Sequence, residues 1–306
     1  MRINIHLKLL IPVLFSSICP LAVSQGVAAP SVSAPTSSPT RPSDDRYWVE
    51  PMKKVHAKFT GTKGTFAHFG DSITVSMAFW TSLYWDHKNM PEDANAAFQF
   101  VSKYMAAECW NKWKGPKYGN EGSMTIRWAD ENIGKWLKDL DPEVALIMFG
   151  TNDLGSVPLE EYKTKLARVV QKCLDNGTIV LLNTIAPKSG QDEKARKYVE
   201  AIRAIAKELN VPVCDYYDAI MTRRPEDWNG ASARFKPPAG EKADTYDVPT
   251  LISRDGVHPS NPKKWQGDYT EDGLKNTGFV LRNYVTLMSY ADVIRSVLQP
   301  GEKKPN

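Results

Sequence analysis

Three short blocks of the 306-residue chain contain residue types that could together cleave an ester. Ser72, in Gly70–Thr74, directly follows an apolar run and is a candidate nucleophile. A serine hydroxyl attacks weakly at neutral pH unless a base, oriented by a third group, takes its proton. His258 follows Asp255 by three residues, a spacing that lets the carboxylate reach the imidazole Nδ1 within one turn. Asn152 offers a side-chain amide to a developing oxyanion.

Each block also has a purely structural interpretation. Gly-Asp-Ser is a common turn sequence, the Asp255–His258 segment could be an Asx-type turn with an exposed histidine, and Asn152 could cap the loop that follows it. Because the chain lacks Gly-x-Ser-x-Gly, Ser72 does not lie on the nucleophile elbow of α/β-hydrolases. For a backbone oxyanion donor we expect the amides of Ser72 and Gly122, with Gly119 as the second choice of glycine.

Short strand-like runs alternate with longer helical periods, which predicts βα units on a mostly parallel sheet. The expected strands are Thr65–Phe69, Val144–Phe149, Thr178–Leu182 and Val211–Cys214. The expected helices are Asp93–Glu108, Met124–Leu140, Leu159–Leu174, Gln191–Leu209 and Val285–Leu298. In such a sheet, ligands bind at the carboxyl ends of the strands, and the first two blocks fall at such ends. The third block lies in a long loop that could reach them.

The chain begins with a pattern that predicts a secretory signal over residues 1–24, followed by a flexible Pro/Ser/Thr-rich linker over 25–45 and one hydrolase domain over 46–306. We therefore expect a secreted or periplasmic protein with no integral membrane segment after signal cleavage. Removing the signal takes away Arg2 and Lys8 and no acid, so the 39 basic and 35 acidic residues become 37 and 35, a net charge of +2. That charge favours no nucleic-acid partner.

Three cysteines remain after the signal, and their wide spacing offers neither a CxxC pair nor a disulfide framework. A bridge from Cys173 to Cys214 is possible, but buried free thiols are the simpler expectation. Two segments rich in aromatic residues, Val75–Trp113 and Arg223–Arg254, begin or end beside the proposed reacting groups. We expect them to form walls of the active site.

Taken together, the blocks closely resemble those of the SGNH, or GDSL, hydrolase family over about Gly64–Pro259. Gly70–Thr74 matches the first block, Gly122 falls at the second-block glycine, Gly150–Asp153 matches the third and Asp255–Pro259 the fifth. The second block departs from the pattern, because its spacing from glycine to threonine is one residue longer than usual.

The resemblance implies a three-layer α/β/α fold with a flavodoxin-like, mostly parallel sheet. It also implies a Ser-His-Asp mechanism that uses no metal and no cofactor, with an oxyanion hole formed by Ser72, Gly122 and Asn152.

The predicted activity is hydrolysis of a short acyl ester, acetyl in the first instance, on a small molecule or a polysaccharide. The nine tryptophans suggest apolar platforms for sugar rings, and no long apolar stretch suggests a lipid interface. Three alternatives stay open: a lipid or aryl ester hydrolase, a metallophosphoesterase and a non-catalytic glycan-binding protein on the same fold. The metallophosphoesterase would need several histidine ligands, whereas Asn152 is followed by Asp153 and no second histidine lies near His258.

Overall fold

The computed structural model describes residues 46–299, so the predicted signal and linker lie outside the described residues. Its centre is a parallel sheet in the spatial order β1-β2-β3-β4. The strands are β1 (Phe66–Gly70), β2 (Val144–Met148), β3 (Ile179–Asn183) and β4 (Val213–Cys214). Every residue of β1, β2 and β3 is buried, as expected for a parallel sheet covered on both faces.

The helices pack in two layers. They are α1 (Val49–His56), α2 (Ser72–Val75), α3 (Thr81–Trp85), α4 (Glu92–Tyr104), α5 (Ile126–Leu140), α6 (Asp153–Ser156), α7 (Leu159–Asp175), α8 (Asp192–Glu208), α9 (Tyr216–Arg223), α10 (Glu271–Asn276) and α11 (Gly278–Val293). Helices α5, α7 and α8 are neighbours in one layer, and α11 contacts both α4 and α9 in the other. The α/β fold with helices on both sides of a parallel sheet is therefore confirmed.

A single bridge beside β1 explains the flavodoxin-like order. Gly70 pairs with Met148 of β2 on one side and, in parallel, with Asn120 on the other. If the bridge at Asn120 is counted as a rudimentary second strand, the spatial order becomes 2-1-3-4-5, which is that of flavodoxin-like sheets. The loop that contains Asn120 thus occupies the position of the second strand without forming a strand of its own.

The strands and most helices begin and end within a few residues of the predicted positions, but the carboxyl-terminal helix starts earlier than predicted. It begins at Gly278 and not at Val285, and a short π-helix continues it over Ile294–Leu298. Arg282 and Asn283 interrupt the apolar pattern there, yet both are buried in the structure. A polar pair inside a buried helix hides the periodicity on which the prediction rests.

The cysteines of the described residues, Cys109, Cys173 and Cys214, are free and buried. Burial raises the pKa of the Cys109 thiol to about 12 and that of Cys214 to about 11, so both stay protonated at neutral pH.

Within residues 46–299, no helix combines the length and the apolar character needed to cross a membrane.

Candidate active site

Ser72 stands at the first position of α2, immediately beyond the carboxyl end of β1. The side chain of Asp71 caps this short helix by accepting a hydrogen bond from the Ile73 amide at 3.0 Å. Gly70 makes the tight turn possible, because a Cβ there would lie 2.2 Å from Thr74 Oγ1 and 2.8 Å from the carbonyl oxygen of Met148. The sequence thus folds so that the serine hydroxyl extends past the sheet edge.

His258 and Asp255 meet Ser72 at this edge, although 186 residues separate the serine from the histidine. Ser72 Oγ lies 2.9 Å from His258 Nε2, and His258 Nδ1 lies 2.7 Å from Asp255 Oδ2. With Nδ1 donating to the carboxylate, Nε2 is left as an acceptor for the serine proton. The three side chains have the geometry that base-assisted attack by a serine requires.

The Asp255 carboxylate is held by the loop in which it lies. Its Oδ1 accepts from Ser253 Oγ at 2.7 Å and from the amides of Val257 and His258 at 2.8 and 2.9 Å. Burial alone would raise the pKa of Asp255, but the bonds from His258, Ser253 and Val257 outweigh it and hold that pKa below its usual range. In turn, the hydrogen bond with Asp255 raises the pKa of His258.

Asn152 and the Ser72 amide, two of the three predicted oxyanion donors, lie beside the Asp71–Ser72 turn. Asn152 Nδ2 donates to the Met124 carbonyl at 3.0 Å and, over a longer 3.3 Å, to Asp71 Oδ2. The Met124 bond fixes the orientation of the amide, and the longer bond is the one a ligand could replace. Among the described residues the backbone amide of Ser72 has no hydrogen-bond partner.

The two candidate glycines differ in what surrounds them. The Gly122 amide donates to the Glu121 carboxylate at 2.7 Å, and a Cβ at Gly122 would meet nothing within 4 Å. The Gly119 amide is occupied by the carbonyl of Pro116, and a Cβ at Gly119 would lie 2.3 Å from the Phe69 ring. Gly119 therefore serves the turn, whereas Gly122 lies in open space.

Asn120 organises this loop and was not singled out from the sequence. Its side chain is fully buried; Oδ1 accepts from the Gly115 amide at 2.9 Å and Nδ2 donates to the His68 carbonyl at 3.0 Å. The next residue continues the contact with β1, because the Glu121 amide donates to the Gly70 carbonyl. Nothing in the sequence of the loop marks this asparagine as its most buried polar side chain.

Two buried carboxyl groups flank Asn152. Burial raises the pKa of Asp71 to about 6, although its bond from Ile73 and the charges of Arg282 and His258 act in the opposite direction. Burial and the repulsion from Asp71 raise the pKa of Asp153 to about 6 as well. Asp153 Oδ1 accepts from the Ile126 amide at 2.9 Å, while its Oδ2 has no partner among the described residues.

The rim around His258 is polar and half-buried. Ser189 accepts a bond from Asn229 Nδ2 at 2.9 Å, and its own amide donates to the Gly256 carbonyl at 2.8 Å. Lys188 Nζ donates to the carbonyl of Thr151 at 3.1 Å. This rim offers hydrogen-bonding groups to whatever occupies the site.

The two aromatic segments lie differently with respect to this site. In the second segment, the exposed ring of Tyr246 lies 6.1 Å from the His258 ring, in an edge-on arrangement. In the first segment, Phe79, Trp80 and Trp110 are buried, and the latter two stack with their ring centroids 5.0 Å apart. Those rings belong to the core, so the first segment contributes less to the walls than its composition suggested.

Among residues 46–299, no cluster of three or more histidine, cysteine, aspartate or glutamate side chains is placed to hold a metal ion.

Comparison with protein families gives one decisive match. The model of the GDSL-like lipase/acylhydrolase family matches residues 68–262, about two thirds of the chain. The chain belongs to this family. It is therefore a carboxylic ester hydrolase, and the matched range contains Ser72, Asn152, Asp255 and His258. A search among curated proteins finds no match to this GDSL-like acylhydrolase.

Solved structures similar to this GDSL-like acylhydrolase include three bacterial enzymes. A psychrotrophic esterase from Pseudoalteromonas sp. is 14% identical, with 76% of this chain and 99% of that chain covered and a TM-score of 0.47. A lipase/acylhydrolase from Enterococcus faecalis is 14% identical, with 74% and 94% covered and a TM-score of 0.45. An acetylxylan esterase from Geobacillus stearothermophilus is 15% identical, with 81% and 99% covered and a TM-score of 0.45.

Proposed function

We propose that the protein is a secreted serine esterase in which Ser72 is the nucleophile, His258 the general base and Asp255 the group that orients and stabilises the imidazole. The observation that carries this assignment is the pair of short contacts, 2.9 Å from Ser72 Oγ to His258 Nε2 and 2.7 Å from His258 Nδ1 to Asp255 Oδ2. The serine and the Asp255–His258 pair come from distant parts of the chain, with 186 residues between Ser72 and His258.

In the proposed reaction, Ser72 Oγ attacks the ester carbonyl while its proton passes to His258 Nε2. The imidazolium is stabilised by Asp255, and it then protonates the leaving alcohol. A water molecule, deprotonated by the same imidazole, releases the acyl group from Ser72 and restores the free enzyme. Asp255 stays ionised throughout, since its hydrogen bonds hold its pKa below the usual range.

The oxyanion of the tetrahedral intermediate is proposed to be stabilised by the Ser72 amide, Asn152 Nδ2 and the Gly122 amide. The Ser72 amide is available without rearrangement. Asn152 gives up its 3.3 Å contact with Asp71 and keeps the bond to Met124. Gly122 contributes only when the Glu121 carboxylate turns away from its amide. We therefore rank Gly122 as the conditional donor of the three.

We propose that the substrate is a short acyl ester, acetyl in the first instance, on a carbohydrate. The polar rim formed by Lys188, Ser189 and Asn229 suits a hydroxyl-bearing alcohol better than a hydrocarbon chain. The exposed face of Tyr246 beside His258 is a surface on which the apolar side of a sugar ring can pack. Secretion is proposed from the signal pattern over residues 1–24.

The proposal is tested by measuring kcat/KM on a matched panel: p-nitrophenyl acetate, an acetylated xylo-oligosaccharide and a long-chain p-nitrophenyl ester. We expect acetate release from the first two and a rate at least about 100-fold lower on the long chain, with all activity lost in Ser72→Ala. Preferential cleavage of the long-chain ester would support the lipid-hydrolase alternative. Glycan affinity without turnover and without labelling of Ser72 would contradict catalysis altogether.

A further inference from the structure

The segment that carries Ser72 is held by two basic side chains, Arg282 and Lys114, and the charge of the nearby Asp71 acts on Arg282. Arg282, on α11, is completely buried, and Lys114, in the loop before α5, is partly buried. Within residues 46–299 no carboxylate forms an ion pair with either side chain. Buried charges are rare in proteins unless they are paired, because removing them from water is costly. Burial and the nearby Arg282 charge lower the pKa of Lys114 to about 7, so its amine is only partly charged at neutral pH. Two such buried basic groups without an ion pair call for a reason beyond packing.

Both cations bind backbone carbonyls of the nucleophile segment, which we define as residues 72–79. Arg282 Nη1 donates to the Ile73 carbonyl at 2.6 Å, and its Nη2 donates to Thr74 Oγ1 at 3.0 Å. These contacts fix the two residues that follow Ser72. Through Thr74 they also reach the end of β1, since Thr74 Oγ1 packs where a Cβ of Gly70 would be.

Lys114 holds the second half of the same segment. Its ammonium has three N–H groups, and its acceptors are the carbonyls of Thr74, Ser76 and Phe79, at 2.9, 3.2 and 3.3 Å. These carbonyls lie at or beyond the carboxyl end of α2, where the helix itself leaves carbonyls without partners. The Ser76 and Phe79 carbonyls also accept from the amides of Phe79 and Thr81, at 3.0 and 2.7 Å, so Lys114 ties these two turns to the Thr74 carbonyl near the end of α2.

The Phe79 ring joins the two cations. The Arg282 guanidinium lies 3.6 Å from the ring centroid and the Lys114 ammonium lies 5.5 Å from it, both within the range of a cation–π contact. The neighbouring Asn283 adds two hydrogen bonds at the end of this segment. Its Oδ1 accepts from the Trp80 amide at 2.8 Å, and its Nδ2 donates to the Ala78 carbonyl at 3.1 Å. Residues far away in the sequence thus determine the path of the nucleophile segment.

We infer that Arg282 and Lys114 are positioning residues for Ser72: they hold the carbonyl end of α2 so that the serine hydroxyl and amide keep their alignment with His258 and the substrate. This inference rests on the proposed function of Ser72. Neither side chain contacts the hydroxyl, so both act through the backbone of residues 73–79. Arginine supplies a rigid two-pronged donor at one end, and lysine supplies three donors at the other.

The test compares Arg282→Lys and Lys114→Met with matched cation–π controls that do not bind the segment. The controls are Arg295→Lys, whose guanidinium lies over Phe100, and Lys117→Met, whose ammonium lies over Tyr118. For each variant we would measure kcat and KM on p-nitrophenyl acetate, the thermal midpoint, and the rate constant at which a fluorophosphonate labels Ser72. The fraction of sites labelled at completion counts the folded, competent molecules.

We expect kcat and the labelling rate constant to fall together, on the order of 10-fold, in Arg282→Lys and Lys114→Met, with KM within about twofold of wild type. Both controls should stay within about twofold in every parameter. A purely structural role predicts the opposite pattern, namely a lower midpoint and fewer labelled sites but an unchanged rate constant per labelled site. That result would overturn the inference.

Three further outcomes are also decisive. Should Arg282→Lys fail to fold, Lys114→Met alone decides, because it removes donors from a partly buried position and leaves the guanidinium in place. Retention of full activity by Ser72→Ala would contradict the proposed function itself. An inactive Ser72→Ala beside fully active Arg282 and Lys114 variants would contradict only the positioning role.

Discussion

The two halves of the candidate site are built in different ways. The acid–base loop, residues 253–258, is held at Asp255 by short-range bonds from Ser253, Val257 and His258, and the Ser189 amide adds a bond to the Gly256 carbonyl. The nucleophile segment, residues 72–79, is held by side chains that follow it by dozens to hundreds of residues. A histidine proposed to exchange protons with solvent and substrate suits a half-exposed loop whose carboxylate is held locally. A nucleophile that must keep one direction suits a segment fixed by side chains from elsewhere in the chain.

The largest expected effect comes from removing the base of the acid–base loop. His258→Ala should lower kcat/KM by about 10⁴-fold or more, because Ser72 loses its proton acceptor. The thermal midpoint should change little, since the histidine is half-buried and the loop keeps its backbone bonds. The control is His87→Ala, whose ring packs on Phe98. Activity within tenfold of wild type in His258→Ala would remove this histidine from the mechanism.

The substitution Asp255→Asn tests how the carboxylate orients and charges His258, while it leaves the imidazole that accepts the serine proton in place. Wild-type activity should fall as the pH drops through the His258 pKa, which Asp255 raises above the ordinary 6.5, since only the neutral imidazole accepts a proton. The variant loses that contribution, so the acidic limb of its pH–rate profile should move to lower pH while kcat falls on the order of 10²- to 10⁴-fold.

The pH of the acidic limb is measured from the full pH–rate profiles of wild type and Asp255→Asn. An acidic limb at the same pH in both proteins would show that Asp255 does not set the pKa of His258.

On the nucleophile side, Asn152→Ala should lower kcat by about 10² to 10³-fold with little change in KM, the usual effect of deleting one oxyanion donor. Asn132→Ala is a matched control, because its side chain donates only to the Trp128 carbonyl on α5. A rise in KM alone, with kcat unchanged, would mean that Asn152 binds substrate and does not stabilise the transition state.

The smallest effect concerns stability. The pKa of Asp153 is raised to about 6 in the folded protein, so the folded state binds a proton more tightly than the unfolded state, where the value is near 3.8. The ionised carboxylate therefore destabilises the fold increasingly between about pH 4 and 6, and fully above pH 6. Asp153→Asn keeps an oxygen for the Ile126 amide and should stabilise the protein by up to about 3 kcal/mol at pH 8.

The same substitution should stabilise much less at pH 4, where wild-type Asp153 is protonated in the folded state. Thermal unfolding at both pH values measures the difference, with the exposed Asp139→Asn as control. An equal gain at both pH values would contradict the assignment of a raised pKa.

The different construction of the two regions also explains what could be predicted from the sequence. The acid–base loop was predictable because Asp255 and His258 are three residues apart and their contact is local. The strands were predictable because β2 is an unbroken apolar run. The support of Ser72 was not, since Arg282 and Lys114 carry no local signal of a contact 209 and 40 residues away. Arg282 also interrupts the apolar pattern of α11, which is why the start of that helix at Gly278 was not predicted.

We propose Ser72 as the one activated nucleophile of this esterase. Its most direct test is intact-mass analysis and peptide mapping after treatment with a fluorophosphonate, alongside hydrolysis of p-nitrophenyl acetate. We expect a single adduct on Ser72, formed in step with the loss of activity and absent in His258→Ala. Loss of activity with the adduct on another residue, or full activity with Ser72 completely labelled, would contradict it.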